Sequence, residues 1–124
     1  MDKRLLDKSW RMSHLYQVKN KVGDKVRFSY NSAQMHYETN KHTRNIICKS
    51  RQLGFTTLES IDMLDDTLFN RNFDSLIISY DRESSLKIFD SKIDYAWKNV
   101  PELIKKMYRV DTDSKNELKF DFGN

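Results

Sequence analysis

The stretch Lys49-Ser50-Arg51-Gln52-Leu53-Gly54-Phe55-Thr56-Thr57 decides how this chain is read. It lies between the apolar run Asn45-Ile46-Ile47-Cys48 and a helix-like run from Leu58 to Asn70. Its pattern is that of a phosphate-binding loop with the lysine displaced. In the usual form, G-x-x-x-x-G-K-[ST], glycines let backbone N–H groups close around phosphates, the lysine pairs with them and the hydroxyl reaches Mg²⁺. Aligned on Gly54, Thr56 takes the hydroxyl position, Phe55 stands where the lysine belongs and Lys49 stands at the first glycine. A long ammonium side chain from the start of the loop serves the same electrostatic need. The setting agrees: β-branched residues precede the loop, and the N-terminal N–H groups and dipole of the following helix favour an anion.

Outward from the loop, strand and helix patterns alternate. Arg44 to Cys48 reads as a first core strand, and Thr57 to Phe69 as a helix burying Leu58, Ile61, Leu64 and Leu68 beside Met63. The acids Glu59, Asp62, Asp65 and Asp66 read as its solvated face. Ser75 to Tyr80 is the second core strand, and Asp81 caps a long helix from Arg82 to about Asn99 with Leu86, Phe89, Ile93, Ala96 and Trp97 inward. Asp81 also ends an apolar run in the manner of a Walker B aspartate, but Arg82 follows it rather than a second acid, so the cap is the better reading. This alternation predicts an α/β fold, a P-loop NTPase-like three-layer sandwich with a parallel core sheet. Two β-hairpins flank it, Leu15 to Lys19 with Lys25 to Tyr30, and Tyr108 to Val110 with Glu117 to Phe122. Leu5 to Ser13 has weak helical periodicity, with Trp10 packed on the body. Asn31-Ser32 caps a short helix from Ala33 to Thr39. Within that helix Gln34 has two readings, a solvated helix glutamine or an amide poised for the N6 and N7 edge of adenine.

Composition bounds the rest. With 124 residues, 38% hydrophobic and 32% charged, the chain is one small domain or part of a larger one. No apolar run approaches the ~20 residues that cross a bilayer, and no signal-peptide pattern follows Met1-Asp2-Lys3-Arg4, so a cytoplasmic protein is expected. The one cysteine, Cys48, excludes an internal disulfide and reads as a small buried residue at a strand end. A formal net charge of +4, from 22 basic and 18 acidic residues, permits a nucleic-acid partner without arguing for one. His14, His36 and His42 share no metal-ligand spacing, and no zinc site is expected.

Arg51-Gln52-Leu53-Gly54 followed by Thr56-Thr57 resembles the ATPase domain of the large terminase subunit of tailed bacteriophages. Asn31-x-x-Gln34-x-x-Tyr37 upstream, the strand and helix downstream, and Asn99-Val100-Pro101-Glu102-Leu103 are similar as well. The resemblance covers residues from about Trp10 to Asn124 and only the first part of that domain. It implies ATP and Mg²⁺ as cofactors and, for an intact protein, packaging of double-stranded DNA into proheads with a portal protein and a small terminase subunit as partners. A homo-oligomer is implied only when the motor is assembled. The implied nucleotide-binding residues are Gln34, Lys49, Ser50, Arg51, Gln52, Leu53, Gly54, Phe55, Thr56 and Thr57. Lys49 would neutralise phosphates and Thr56 would meet Mg²⁺, with Arg51 either a charge-stabilising finger or an orienting residue. Gln52 and Thr57 would support the loop through hydrogen bonds. The family's Walker B aspartate, catalytic glutamate and nuclease cluster have no counterpart in residues 1–124, so little or no hydrolysis and no DNA cleavage are expected of this chain alone. A helicase-type motor would normally keep lysine at position 55, and a non-enzymatic binding protein is the other alternative.

Overall fold

A computed structural model of the chain describes residues 3–48, 54–114 and 116–121. The chain opens with a 3₁₀ turn (Lys3–Leu6) and helix α1 (Lys8–His14), capped by the Asp7 carboxylate, which accepts the Ser9 N–H at 3.0 Å. Strands β1 (Gln17–Lys19) and β2 (Lys25–Arg27) pair antiparallel with Val18 opposite Val26. Gly23, at φ 90°, allows the tight turn between them, and Asn20 Oδ1 closes it by accepting the N–H groups of Val22 and Asp24. Helix α2 (Ser32–Asn40) begins at Asn31, as the cap residues indicated. Helix α3 (Phe55–Phe69) is the longest, and α4 (Arg82–Ile88) starts where the Asp81 carboxylate accepts the Ser84 N–H at 2.7 Å. A π-helical turn (Phe89–Asp94) and α5 (Tyr95–Lys98) continue α4. Past Pro101, α6 (Glu102–Lys106) leads into a second antiparallel hairpin, β3 (Arg109–Asp113) with β4 (Leu118–Asp121).

The core forms around α3. Leu58, Ile61, Leu64 and Leu68 are buried on one stripe, packed with Met12, Leu15, Tyr16 and Phe28 from the N-terminal part and Ile93, Ala96, Val100 and Ile104 from the C-terminal part. Trp97, Tyr108 and Phe120 meet edge to face, Trp97 and Phe120 with ring centroids 4.6 Å apart. The Tyr108 hydroxyl donates to the Leu68 carbonyl at 2.5 Å and fastens the second hairpin to the last turn of α3.

The same stripe carries one charge. Asp65 is completely buried, and Arg11 from α1 donates Nε and Nη2 to its two oxygens at 2.9 Å each. The Tyr16 hydroxyl donates to Oδ1 at 2.5 Å, Arg11 Nη1 donates to the Leu5 carbonyl at 2.7 Å, and the guanidinium stacks 4.3 Å over Phe69. Burial and the neighbouring Asp65 charge together push the Tyr16 hydroxyl well above the usual tyrosine range. Asp65 therefore does not belong to a solvated face. Glu59, Asp62 and Asp66 are half-buried, so that face is a packed polar seam.

The described residues contain no parallel core sheet. Among the described residues the only sheets are the two antiparallel hairpins, and neither 44–48 nor 75–80 joins a ladder. The three-layer P-loop sandwich is therefore overturned. An apolar β-branched run becomes a buried parallel strand only when neighbours satisfy its backbone and helices cover both faces. Here the local hairpins and α3 take the packing, leaving Ile46 at 95%, Leu76 at 78%, Ile78 at 82% and Tyr80 at 89% exposure. Cys48 is exposed too, not buried at a strand end. On the long helix Ile93, Ala96 and Trp97 are buried as expected, whereas Leu86 and Phe89 are half-buried beside an open cavity of about 800 Å³ between α3, α4 and β4.

Replacing Asp65 with Ala strands the Arg11 guanidinium in the core, and removing one partner of a buried pair costs about 3–5 kcal/mol. A urea titration followed by tryptophan fluorescence checks this; a midpoint close to wild type would show the pair to be dispensable.

Candidate functional site

Five residues of the loop, Lys49, Ser50, Arg51, Gln52 and Leu53, lie outside the described residues. What is described is the loop's exit, where the N-termini of α2 and α3 meet. Gln34 makes the junction. It is 4% exposed, and its side chain serves both helices. Its Oε1 accepts the Asn31 N–H at 2.8 Å, while Asn31 Oδ1 accepts the Gln34 N–H at 2.8 Å, a reciprocal capping box. The Gln34 Nε2 then donates to the Gly54 carbonyl at 2.8 Å. A solvated helix glutamine is thus not what the structure contains. By count the amide keeps one N–H and one oxygen lone pair beyond these two bonds.

Gly54 is required twice over. Its φ of 81° lies in the left-handed region, and a Cβ added there would stand 2.7 Å from Gln34 Nε2 and 3.5 Å from Asn31 Nδ2. Among the described residues no side chain caps α3, which begins after Gly54. The N–H groups of Phe55, Thr56 and Thr57 are the donors that a helix start leaves without intrahelical partners, the arrangement that attracts anions. Thr56 is exposed in this turn and Thr57 half-buried. The Phe55 side chain is buried, its ring 5.7 Å from that of Tyr37 and nearly perpendicular, so it offers a ligand only its backbone. An open groove of about 690 Å³ runs beside the junction between α2 and residues 44–48, with His36, Lys41 and Arg44 among its lining residues.

Behind the junction lies the polar seam that the sequence did not suggest. Lys8 Nζ sits 2.7 Å from both Asp62 Oδ1 and Asp66 Oδ1; the contact with Asp62 is an ion pair with poor hydrogen-bond angles. Lys41 bridges Glu38 at 3.0 Å and Asp62 at 3.8 Å. Burial works against the Lys8 ammonium, but hydrogen bonds and charge from Asp62 and Asp66 outweigh it and raise its pKa. Burial, then the nearby Glu59 charge, pushes the Tyr37 hydroxyl up to about 12. The Glu59 carboxyl is also raised, by burial and by Asp62, although a hydrogen bond with Tyr37 opposes the shift. No family model, curated protein or solved structure matches the chain, so its own residues carry the functional reading.

Two outcomes follow from this geometry. Gly54→Ala forces a left-handed alanine against Gln34, and backbone strain of that kind costs about 1–3 kcal/mol; thermal melting should show the loss, and an unchanged melt would contradict the described junction. Glu59 titrates higher folded than unfolded, so folding favours its protonated form, and the penalty for its charge appears as pH rises above the ordinary value of 4.5. Glu59→Gln should therefore melt above wild type at pH 7, with the gap closing as the pH falls to about 4.5. A constant gap across that range would assign the effect to packing instead.

Proposed function

We propose that this chain is the nucleotide-holding part of a terminase-like motor that uses ATP to package double-stranded DNA, and that by itself it binds ATP without appreciable hydrolysis. The observation that carries the reading is the bond from Gln34 Nε2 to the Gly54 carbonyl, which ties an upstream glutamine to the glycine at the loop's exit. A solvated glutamine has no reason to sit there. The residues fit a phosphate group in kind: Gly54 admits close approach of backbone, α3 begins uncapped, and its first turn contains no acidic side chain to repel an anion. In that role Lys49 pairs with phosphate oxygens and Thr56 offers its hydroxyl to Mg²⁺. The metal supplies charge neutralisation and orientation of the phosphates when it is bound. The remaining donor and acceptor of the Gln34 amide are what an adenine edge requires. The proposal places the protein in the cytoplasm of a host cell; no described helix is long and apolar enough to cross a membrane.

The absence of a parallel sheet among the described residues favours a second reading, a non-enzymatic binding protein that retains only the loop sequence. Thermal melting separates the two. At Mg-ATP about 100-fold above its dissociation constant a live site gains about 2.7 kcal/mol, a rise of several degrees in Tm that Lys49→Ala should abolish. No rise with the wild-type chain would sink the nucleotide reading and leave the binding-protein reading standing.

A further inference from the structure

We propose that the outward face of the β1–β2 hairpin is a contact surface for the phosphate backbone of duplex DNA. The surface gives the DNA of the function proposed above, on which the choice of partner rests, a place on this chain, yet its residues take no part in the nucleotide junction. Side chains alternate in direction along both strands. Tyr16 and Phe28 are buried and Val18 packs on the core, so Gln17, Lys19, Lys25 and Arg27 point outward. The last three are exposed, as is Lys21 in the turn.

The register of the hairpin sets like charges against each other. The Phe28 N–H donates to the Tyr16 carbonyl, and the Asn20 N–H donates to the Asp24 carbonyl. Hydrogen-bonded and non-hydrogen-bonded pairs alternate along an antiparallel ladder, so Lys19 and Lys25 form a pair of the second kind. Side chains stand closest there, with Cα atoms about 4.5 Å apart, and like charges directly opposite are destabilising. Lys19, Lys21, Lys25 and Arg27 form no ion pair among the described residues. Lys19 has only the face of the Tyr95 ring, 4.9 Å away. Asp24, the one acid of the hairpin, falls on the other side by the same alternation. A polyanion laid across the outward face removes a repulsion that the fold leaves in place.

The uncharged groups select the kind of polyanion. Single strands are held by bases stacked on aromatic side chains, and lipid surfaces by apolar side chains inserted below the headgroups. The outward face has no free aromatic ring, because Lys19 covers Tyr95, and the turn adds one exposed valine, Val22. A duplex turns its phosphates outward and is held by cations alone, without regard to sequence.

Fluorescence anisotropy of the intact chain with a labelled mixed-sequence DNA duplex, in the absence of ATP, should show binding that weakens with salt. Neutralising four phosphates gives a log–log slope of about −3.6. Lys25→Ala with Arg27→Ala should weaken binding about tenfold or more and flatten the slope by about 2, whereas Lys25→Arg with Arg27→Lys should preserve both. Lys87→Ala with Lys105→Ala removes the same charge from lysines paired with Glu83 and Glu102, and should change little. Equal loss from that second pair, a slope unaltered by the hairpin alanines, or tighter binding of single-stranded DNA or of phosphatidylserine vesicles overturns the proposal. Failure to bind the duplex at low salt sinks this surface alone, while the absence of a Tm rise in Mg-ATP sinks the nucleotide site alone.

Discussion

A carboxylate without access to water must be held by donors, and in this protein the carboxylate of Asp65 sets where the neighbouring elements sit. Burying an ion is costly, and the cost is offset only when every lone pair is used and the counter-charge is close. Arg11 meets both oxygens in a fork, Tyr16 adds a third donor, and the spare guanidinium nitrogen reaches back to the Leu5 carbonyl. The opening 3₁₀ turn, α1, the residue leading into β1 and α3 are thereby fixed to one another. Other packings of α3 are penalised, because its apolar stripe cannot be covered by a surface lacking an arginine without stranding a charge. The pair gives specificity of arrangement even where its net contribution to stability is small.

Once α3 is oriented in this way, its first turn meets the first turn of α2. Two helix starts side by side bring two positive dipole ends together, which is unfavourable in isolation and becomes favourable around an anion. One side chain, Gln34, holds them by bonding to the backbone of both. The functional proposal rests on this junction and not on any sheet. Lys8, Lys41, Glu38, Asp62 and Asp66 brace the same three helices from behind.

Local signals in the sequence are decisive wherever a cap or a turn determines the outcome. Asn31, Asp81 and the turn at Gly23 are set by bonds made within a few residues. The hairpins and the Leu58, Ile61, Leu64, Leu68 stripe follow from periodicity in the same manner. Long-range partners were not legible. Asp65 falls four residues after Ile61 and three before Leu68, on the apolar face itself, and that spacing marked it as buried; the acids around it disguised the signal. The runs 44–48 and 75–80 have strand composition, yet composition carries no information about whether a neighbouring strand is present. Gln34 was legible as a candidate through its position ahead of the loop, but its bond to Gly54 spans twenty residues and only the fold discloses it.

The π-helical turn at Phe89–Asp94 governs which insertions and deletions the C-terminal half tolerates. A π turn holds one more residue than the α-helix it interrupts, so losing a residue there restores regular winding without breaking the helix. Each residue removed from an unbroken α-helix rotates everything that follows by about 100°, but the extra residue of the π turn absorbs one such loss. Ala96 and Trp97 would then keep their places, Trp97 against Tyr108 and Phe120. A single-codon deletion in this stretch would thus leave the second hairpin coupled to the core, whereas a second deletion would turn that face of the helix away from it.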